Sequence, residues 1–517
     1  MKTIALFFAA VLAVSSFPDF ESSVLVLTGA SCLEELDENT VEHFRALERH
    51  PLDLNAAGRS RLISSGLMTP FQAASLLDWR KRSGDILSYE ELSLVDGFSH
   101  EYAEALRLFT RIGSRDAPGA VHPLHMHQDL VLKASAREND GTAAAAGLKY
   151  KASLGERAEF NWSTRTTYSS PALNIGTLSA AYYGRRHIGK VVLGHFNARF
   201  GQGLAFWSGF GMSPFSGVSS MRRNGTGLAP TGSFSPGHCG AAADFCFGRW
   251  NAGGAFSIME LAPMGFVSYT GKSFTAGVTL APDKASADFR INMKGGGIFG
   301  EAAWNQGPAA ALGMVWIPSY GNKLSALFRW VEGRPEAGAG AVLGPFEGLV
   351  AWYKGVFRSY VKYTPEIHSG KLLIKPCLRM AAKCHGGWRL DGRGELRSSF
   401  GPWVLNTRLD VARGESIAWL VNAEAGHESD KLRGWMRWTL FCIDNWADRI
   451  YVYERDAPGN FNVPAYYGRG WSLSFTGSWK INRRHAVYMR ASMLEYPWMS
   501  AEKPPKYEVK LQYRLNI

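Results

Sequence analysis

Apolar and polar residues alternate with a period of two over most of the chain, from about residue 120 to residue 517. Successive side chains of a β-strand point to opposite faces, so this alternation predicts strands with one apolar and one polar face. The clearest stretch is the last one, in which Tyr507, Val509, Leu511, Tyr513, Leu515 and Ile517 alternate with Glu508, Lys510, Gln512, Arg514 and Asn516. The long C-terminal region is therefore predicted to be an antiparallel sheet.

The lengths of these segments favour a membrane barrel. The strands are expected to span about 9 to 12 residues, the length that crosses a bilayer at a tilt, and aromatic residues are frequent near their ends. A soluble sandwich or propeller, the alternative, would show shorter strands or a blade-length repeat. The predicted fold class is mainly β: a large antiparallel transmembrane β-barrel of about 20 to 24 strands, preceded by a small all-α domain.

A helical period replaces the alternation in residues 33–115. Two units repeat there, and each consists of a helix, a tight turn and a second helix. The first spans residues 62–77 around Gly66, and the second spans residues 92–106 around Gly97. Apolar residues three and four positions apart predict that these short helices pack on one another.

The first thirty residues have the composition of an export signal. Lys2 precedes an apolar run from Ile4 to Val14, and the small residues Ser15 and Ser16 follow, which is the order found in secretory signals. The predicted organisation is a signal peptide at 1–30, a tandem helical domain at 33–115 and a barrel at 120–517. Lipidation of Cys32 is left open, because the leucine expected three residues before it is absent.

The helical region and the barrel region also differ in net charge. Residues 1–112 carry 10 Lys and Arg against 16 Asp and Glu, a net charge of −6, whereas the whole chain has +12. The barrel region therefore carries the positive excess. By strand parity, inward-facing basic candidates are Lys133, Arg157, Arg165, Arg433 and Arg437. Such a lining favours anionic solutes, or, where the charges lie at the rim, acidic lipid head groups.

The helical domain resembles the tandem helix-hairpin-helix domain of ComEA-like DNA-receptor proteins over about 60 residues. The resemblance rests on residues 52–57, the two glycine turns and Asp78-Trp79-Arg80. It implies DNA as a partner, bound by the turns Gly66, Leu67, Met68 and Gly97, Phe98, Ser99. Both turns lack the second glycine of that family, and the domain is acidic, so a structural or protein-docking role is the alternative.

Two barrel segments extend the resemblance to nearly the whole mature chain. Residues 193–204, and residues 451–455 followed by 464–470, are similar to uncharacterised Gram-negative outer-membrane proteins in which a helix-hairpin-helix domain is joined to a barrel. This similarity implies an outer-membrane location, contact with outer-membrane lipids and a periplasmic helical domain with a periplasmic protein as a possible partner. It implies no transported substrate.

Candidate chemistry is sparse. His125, His127 and Asp129 share one face of a strand and would suit a divalent metal, or simply line a polar lumen. A Gly-, Ser- and Pro-rich segment from Trp207 to Gly240, with Arg222 and Arg223, is predicted to be a loop that folds into the lumen, faces outward as a binding loop, or is an ordinary mobile surface loop. Gly201-Gln202-Gly203, just before it, is predicted to be a strand kink or loop entry. Six cysteines lack metal-binding spacing, although Cys377 and Cys384 would be able to close a hairpin disulfide.

No hydrolase, metalloprotease or phosphate-loop motif occurs, so no enzyme and no cofactor is predicted. The leading hypothesis is a membrane translocation or docking component whose helical domain engages a periplasmic partner or plugs the barrel. A DNA-uptake receptor is the second hypothesis, and a barrel-borne enzyme with residues distant in sequence is the third.

Overall fold

The alternating region closes on itself in a computed structural model of the chain, which describes residues 19–113, 125–139, 141–169, 176–184, 187–234, 236–319, 321–370, 372–458, 460–499 and 503–517. The strands are β1 Met126–Glu138, β2 Thr142–Leu154, β3 Ala158–Arg165, β4 Thr177–Tyr183, β5 Ile188–Arg199, β6 His238–Phe247, β7 Trp250–Ser257, β8 Ala262–Thr270, β9 Phe274–Leu280, β10 Lys284–Met293, β11 Gly296–Asn305, β12 Pro308–Ser319, β13 Asn322–Val331, β14 Arg334–Leu343, β15 Phe346–Tyr353, β16 Val356–Tyr363, β17 Leu372–Cys384, β18 Trp388–Phe400, β19 Trp403–Arg413, β20 Ile417–Glu428, β21 Leu432–Ile443, β22 Gly468–Lys480, β23 His485–Glu495 and β24 Lys506–Asn516.

Each strand is antiparallel to both neighbours, and β24 pairs with β1 from Asn516 opposite Asp129 to Tyr507 opposite Glu138. The described residues thus form a closed barrel of 24 strands, which confirms the predicted fold class. Short segments Gly227–Pro230 and Ile367–Ser369 pair beside β5 and β17. Closure gives every strand a partner on each side, so the ring has no open edge.

Tight turns connect many of the strands. The turns Glu332-Gly333 and Lys354-Gly355 place both central residues at positive φ, 53° and 74° in the first and 52° and 75° in the second. Two consecutive residues at positive φ make a turn whose twist matches that of the flanking strands. These turns fix the register of β13 with β14 and of β15 with β16.

The two faces of the barrel differ in chemistry. On β12, Leu312, Met314 and Trp316 are about half exposed on the outside, whereas Ala311 and Val315 are buried on the inside. Outward tryptophans lie near strand ends, namely Trp250, Trp304, Trp330, Trp352, Trp388, Trp403 and Trp479. The alternation seen in the sequence is therefore an apolar outer surface and a mainly polar lumen.

The two ends of the barrel differ as well. The lower end, where β1 begins and β24 finishes, has described connections of eight residues or fewer. The upper end has four longer connections, at residues 166–176, 200–237, 444–467 and 496–505. Two of these, 200–237 and 444–467, return into the lumen, as the contacts below show.

The N-terminal region is helical. Its helices are α1 Phe20–Thr28, α2 Glu38–Arg49, α3 Arg59–Ser64, α4 Pro70–Ser83, α5 Tyr89–Leu92 and α6 His100–Leu106, with a short parallel ladder between Leu52–Asp53 and Thr110–Arg111. Local chemistry explains the helix starts: Thr69 and Gln72 form a reciprocal capping box before α4. Within the described residues, no helix combines the length and apolarity needed to cross a membrane.

The helical domain has its own apolar core. Leu62, Leu67, Leu76, Leu92 and Leu106 are among its fully buried members. Asn55 is buried at the centre. Its side chain donates to the carbonyls of Ile86 and Gly113, both at 2.9 Å, and accepts from the Ile86 N–H at 3.0 Å. This side chain therefore connects the segment before the first helical unit with the segment between the two units and with the end of the domain.

The predicted signal peptide and the predicted disulfide can be compared with this structure. Of the predicted signal peptide at 1–30, residues 1–18 lie outside the described part, whereas residues 20–28 form α1 and pack on the helical core. Residues 114–124, between the helical domain and the first strand, also lie outside it. The proposed Cys377–Cys384 disulfide is wrong: both residues lie on β17, about 23 Å apart at the strand rise per residue, far beyond disulfide reach. All six cysteines are free.

Asn55→Ala should loosen the helical domain. Loss of the side chain leaves the buried Ile86 N–H and two carbonyls without this partner, at a cost of about 1–3 kcal/mol per group. We expect faster proteolysis of α3 and α4 in the full-length protein. Asn39→Ala, which removes one side-chain hydrogen bond to Asp37, is the control and should change little. Equal proteolysis rates in the two variants would contradict this role.

Candidate functional site in the barrel lumen

The helical domain lies inside the ring of strands. Arg59 of α3 donates to the Thr270 hydroxyl on β8 at 2.8 Å, and Glu34, before α2, accepts from Arg408 on β19 at 2.5 Å. Strands β8 and β19 are eleven positions apart in a ring of 24, so these contacts are made with nearly opposite walls. The domain therefore spans the lumen and plugs it.

Arg61 anchors the plug near the lower end. Its guanidinium is 3.0 Å from Glu156, in the turn before β3, and 3.0 Å from Glu159 on β3. Burial alone lowers the pKa of Arg61, but the two carboxylates outweigh it and raise that pKa well above its ordinary value. A buried ion pair is costly to break from one side, because the partner charge stays buried.

A second anchor joins α3 to β5 and β6. Lys190 is almost fully buried and donates to the Ser64 hydroxyl at 2.6 Å, while its ammonium is 3.4 Å from Asp244. The Ser60 hydroxyl donates to the same carboxylate at 2.9 Å. The hydroxyl groups of Ser60 and Ser64 on α3 therefore both form hydrogen bonds with the barrel wall.

The first residues of the described chain form an acidic strap, defined as residues 19–35 with Asp19, Glu21, Glu34 and Glu35. It faces a basic wall, defined as the lumen side chains Lys362, Arg379, Arg393, Arg397 and Arg408 of β16 to β19. Arg397 contacts Asp19 at 3.3 Å and Glu21 at 3.1 Å. Lys362 donates to the Ser31 carbonyl at 2.9 Å. The strap is held to the wall mainly by charge.

The two glutamates at the end of the strap differ. Burial opposes ionisation of Glu34, but Arg393 and Arg408 overcome it and hold the pKa of Glu34 well below its ordinary value. Glu35 accepts from the Ser31 N–H and hydroxyl, yet burial raises its pKa to about 7. Glu34 is therefore the carboxylate that the wall binds as an anion.

The upper connection at residues 200–234 folds inward and begins with a glycine turn. Gly201 and Gly203 have φ of 57° and 77°, and the backbone N–H groups of Gln202 and Leu204 donate to the Glu301 carboxylate of β11 at 2.5 and 3.3 Å. A Cβ on Gly201 would lie 2.7 Å from that carboxylate. The Gly201-Gln202-Gly203 stretch is thus the entry to the loop, and its backbone also binds a carboxylate.

Further along, the same connection packs on the wall and on the plug. The Phe215 ring lies against Gly338 of β14, where an added Cβ would be 2.6 Å away, and Val218 lies against Gly340. Ser219 approaches Gly29, the left-handed C-cap of α1, in the same way. Phe215 is buried. Of the sequence alternatives, the inward constriction is the one observed.

The connection at residues 444–467 constricts the other side. Glu454 is 2.5 Å from Arg490 on β23, and Asp456 is 2.7 Å from Lys510 on β24. Arg455 contacts Glu424 of β20 at 3.2 Å and Glu21 of the strap at 3.1 Å. This connection therefore links wall and strap.

The hairpin turns predicted to bind DNA lie within the plug. Leu67, Met68 and Phe98 are buried in its core. The Gly66 N–H donates to the Ile63 carbonyl and the Leu67 N–H to the Ser65 hydroxyl, and the Phe98 N–H donates to the Val95 carbonyl. Gly97 packs on Phe71, and Ser99 caps α6. These backbone donors are already engaged.

The predicted basic lining residues are dispersed. Lys133 donates to Asn460 at 2.7 Å, the Arg165 guanidinium lies over the Phe234 ring at 4.2 Å, and Arg437 pairs with Glu424 at 3.0 Å. Arg157 lies in the turn before β3, and Arg433 is exposed near the lower end of β21. Lys133 and Arg165 line one cavity, but the five residues do not form a single cluster.

The strand face with His125, His127 and Asp129 is occupied by ion pairs. Asp129 is 2.7 Å from Arg514 and 3.4 Å from Arg49 of α2, and the His127 ring packs against His50. In the part of the chain that is described, no group of three His, Cys, Asp or Glu side chains is placed to hold a metal. These residues form part of the polar lumen face.

No protein-family model and no curated protein matches the chain. Among solved structures, OccK5 (OpdH) and OpdL of Pseudomonas aeruginosa are 8% and 9% identical, with TM-scores of 0.31 and 0.35. OccAB3 of Acinetobacter baumannii is 10% identical, with a TM-score of 0.30. Each alignment covers 76% of this chain and 98%, 98% and 99% of the respective solved chain. Scores this low assign no substrate or activity to this chain.

The sequence did not identify the acidic strap and basic wall. Glu34 and Arg408 are 374 positions apart, and neither stands in a motif. The available signal was the opposite charge of the two regions, which indicates attraction but names no pairs.

The plug should loosen in acid through His43 of α2. Its Nε2 is 2.6 Å from the Ser65 carbonyl, and burial lowers its pKa from 6.5 to about 4. Unfolded chain then binds a proton that the folded domain does not, so stability is full above pH 6.5 and falls as pH drops toward 4. Proteolysis of the helical domain in the full-length protein should accelerate over that range.

His43→Gln should flatten this pH dependence, because glutamine keeps a donor for Ser65 but does not titrate. His100→Gln, at the start of α6, is the matched control and should keep the wild-type pH profile. An unchanged profile in His43→Gln would show that other groups cause the acid sensitivity.

Proposed function

We propose that this chain is an outer-membrane β-barrel for translocation, closed by its own N-terminal helical domain. A barrel of 24 strands is wide enough to enclose an aqueous channel or to need a plug. The alternating strands, the outward tryptophans near strand ends and the difference between short lower and long upper connections support insertion in an outer membrane. On that basis the lower end, with both termini of the barrel, faces the periplasm.

The observation that carries the proposal is how the plug is attached. The apolar core of the helical domain is largely its own, whereas its contacts with the wall are ion pairs and hydrogen bonds such as Arg61–Glu159 and Arg397–Glu21. When the domain moves as a unit, water can take over these polar contacts, whereas separating a shared apolar core would expose hydrophobic surface. Such a domain can shift as a unit while the barrel stays closed, which suits a gated translocation component.

The ComEA-like hypothesis of DNA uptake is retained as a prediction to test. A DNA role would require the turns at Gly66 and Gly97 to become accessible and to release the N–H groups of Gly66, Leu67 and Phe98 from their partners within the domain. Full-length protein should bind duplex DNA with an affinity that falls steeply with salt if this hypothesis holds. Absence of binding at low salt would leave the domain as a plug or as a docking module for a periplasmic protein.

Met314→Arg tests membrane insertion. Met314 is about half exposed near the middle of β12, so an arginine there would face hydrocarbon and lower the free energy of unfolding by about 2–4 kcal/mol in lipid vesicles. Leu343→Arg, at the end of β14, is the matched control and should cost only about 0–1 kcal/mol. Equal costs at the two positions would count against a bilayer around this surface.

Arg61→Ala tests the plug. Removing Arg61 leaves Glu156 and Glu159 without their common partner and should weaken attachment by about 3–5 kcal/mol. We expect frequent large openings in planar bilayers, where the wild-type protein conducts little. Arg82→Ala removes an exposed pair with Asp78 and should behave as wild type. Identical conductance of all three proteins would overturn the plug proposal.

A further inference from the structure

The acidic strap covers a strongly basic part of the lumen. A cavity of about 150 Å³ lies between the strap and the wall. The described residues that line it include six cations, namely Lys362, Arg379, Arg393, Arg408, Arg437 and Arg455, but only four carboxylates. Two of those four, Glu21 and Glu34, belong to the strap. Without the strap, these six cations would keep Glu395 and Glu424 in the cavity and the wall carboxylate Asp410, which is 3.0 Å from Arg393 and 2.6 Å from Arg408. Positive charge would still be in excess.

The strap shows what chemistry the wall binds. The Glu34 carboxylate accepts from Arg408 at 2.5 Å, lies 3.4 Å from Arg393 and accepts from the Tyr453 N–H at 3.5 Å. Two guanidinium groups and a backbone N–H around one carboxylate form a site suited to that group. Glu34 therefore occupies the place that the carboxylate of a solute would take.

The site has donor capacity that the strap does not use. Arg437 is buried to more than nine-tenths and lines the same cavity, yet its Nε has no hydrogen-bond partner in the described structure. The Nε of Arg379, which lines the same cavity, also has no hydrogen-bond partner. Buried N–H groups of this kind are normally satisfied, and an anion in the cavity would satisfy them.

We propose that the basic wall is a binding site for soluble di- and tricarboxylates, and that the acidic strap is its intramolecular competitor. The inference rests on the proposed function and adds to it a solute class and a release mechanism. Solute and Glu34 need the same guanidinium groups of Arg393 and Arg408, so binding of one displaces the other. The effect is reciprocal: bound solute lowers the affinity of the wall for the strap by the same factor by which the strap lowers its affinity for the solute.

Citrate binding to the full-length protein in detergent, measured by calorimetry at fixed ionic strength, tests the site. Glu34→Gln removes the competing charge and should tighten citrate binding roughly tenfold. Arg408→Gln should abolish it. Glu90→Gln, on an exposed part of the domain, is the matched control and should bind as wild type. Barrel folding of every variant is checked by heat-modifiable gel migration, and Arg393→Gln replaces Arg408→Gln if the latter fails to fold.

Sulfate and the uncharged triamide of citric acid are the comparison solutes. Neither should respond to Glu34→Gln. If sulfate binds as tightly as citrate, a carboxylate site is wrong, and equal citrate binding by wild type, Glu34→Gln and Arg408→Gln overturns the proposal altogether. Calorimetry in detergent requires no transport, so its failure is distinct from a failure of the Arg61→Ala conductance test.

Strap release has its own readout in Cys32, which is partly buried and whose thiol accepts from Arg379 at 3.7 Å. Citrate should raise the rate of maleimide labelling at Cys32 several-fold, as quantified by mass spectrometry of the wild-type chain. Cys442 on β21 lies outside the strap and is the internal reference. Citrate binding without faster Cys32 labelling would overturn the competition.

Discussion

Neutralisation of charge inside a closed barrel is the constraint on which the rest of the structure depends. Charges that leave water must be paired, or their burial is prohibitively costly. The wall strands carry many lumen cations. Some of their partners lie on the wall itself, such as Asp410 and Glu424, and others come from the segments that fill the lumen, such as Glu34 and Glu454. Filling the lumen therefore completes the pairing of its charges.

This constraint explains why the helical domain and the barrel remain separate bodies. The domain closes its own core around residues such as Leu62 and Leu106, and meets the wall through Arg59, Arg61 and the acidic strap. Apolar packing decides the internal form of the plug, whereas electrostatics decides where it sits. A plug held in this way responds to competing anions and to pH, because both act on the charged contacts and leave the apolar core intact.

Local periodicity carried the prediction of the barrel a long way. The strand Lys506–Asn516 and its outward residues follow directly from alternation, and the glycine turns at Gly66 and Gly97 mark the helix pairs of the plug. The connection at residues 200–234 shows where such reasoning stops. Gly201-Gln202-Gly203 has meaning only beside Glu301, which is about a hundred residues away in the chain and adjacent only in the closed barrel.

The sequence by itself determined the two regions, their opposite charge, the helical and strand periods and the approximate number of strands, because these depend on neighbours three, four or two positions apart. Only the tertiary structure decided that the helical domain sits in the lumen, that upper connections fold inward and that Glu34 meets Arg408. Those contacts join residues hundreds of positions apart, and many charge pairings satisfy the same composition. Closure of β24 on β1 places the wall strands around the plug. This arrangement selects one set of charge pairings among the many that the composition allows.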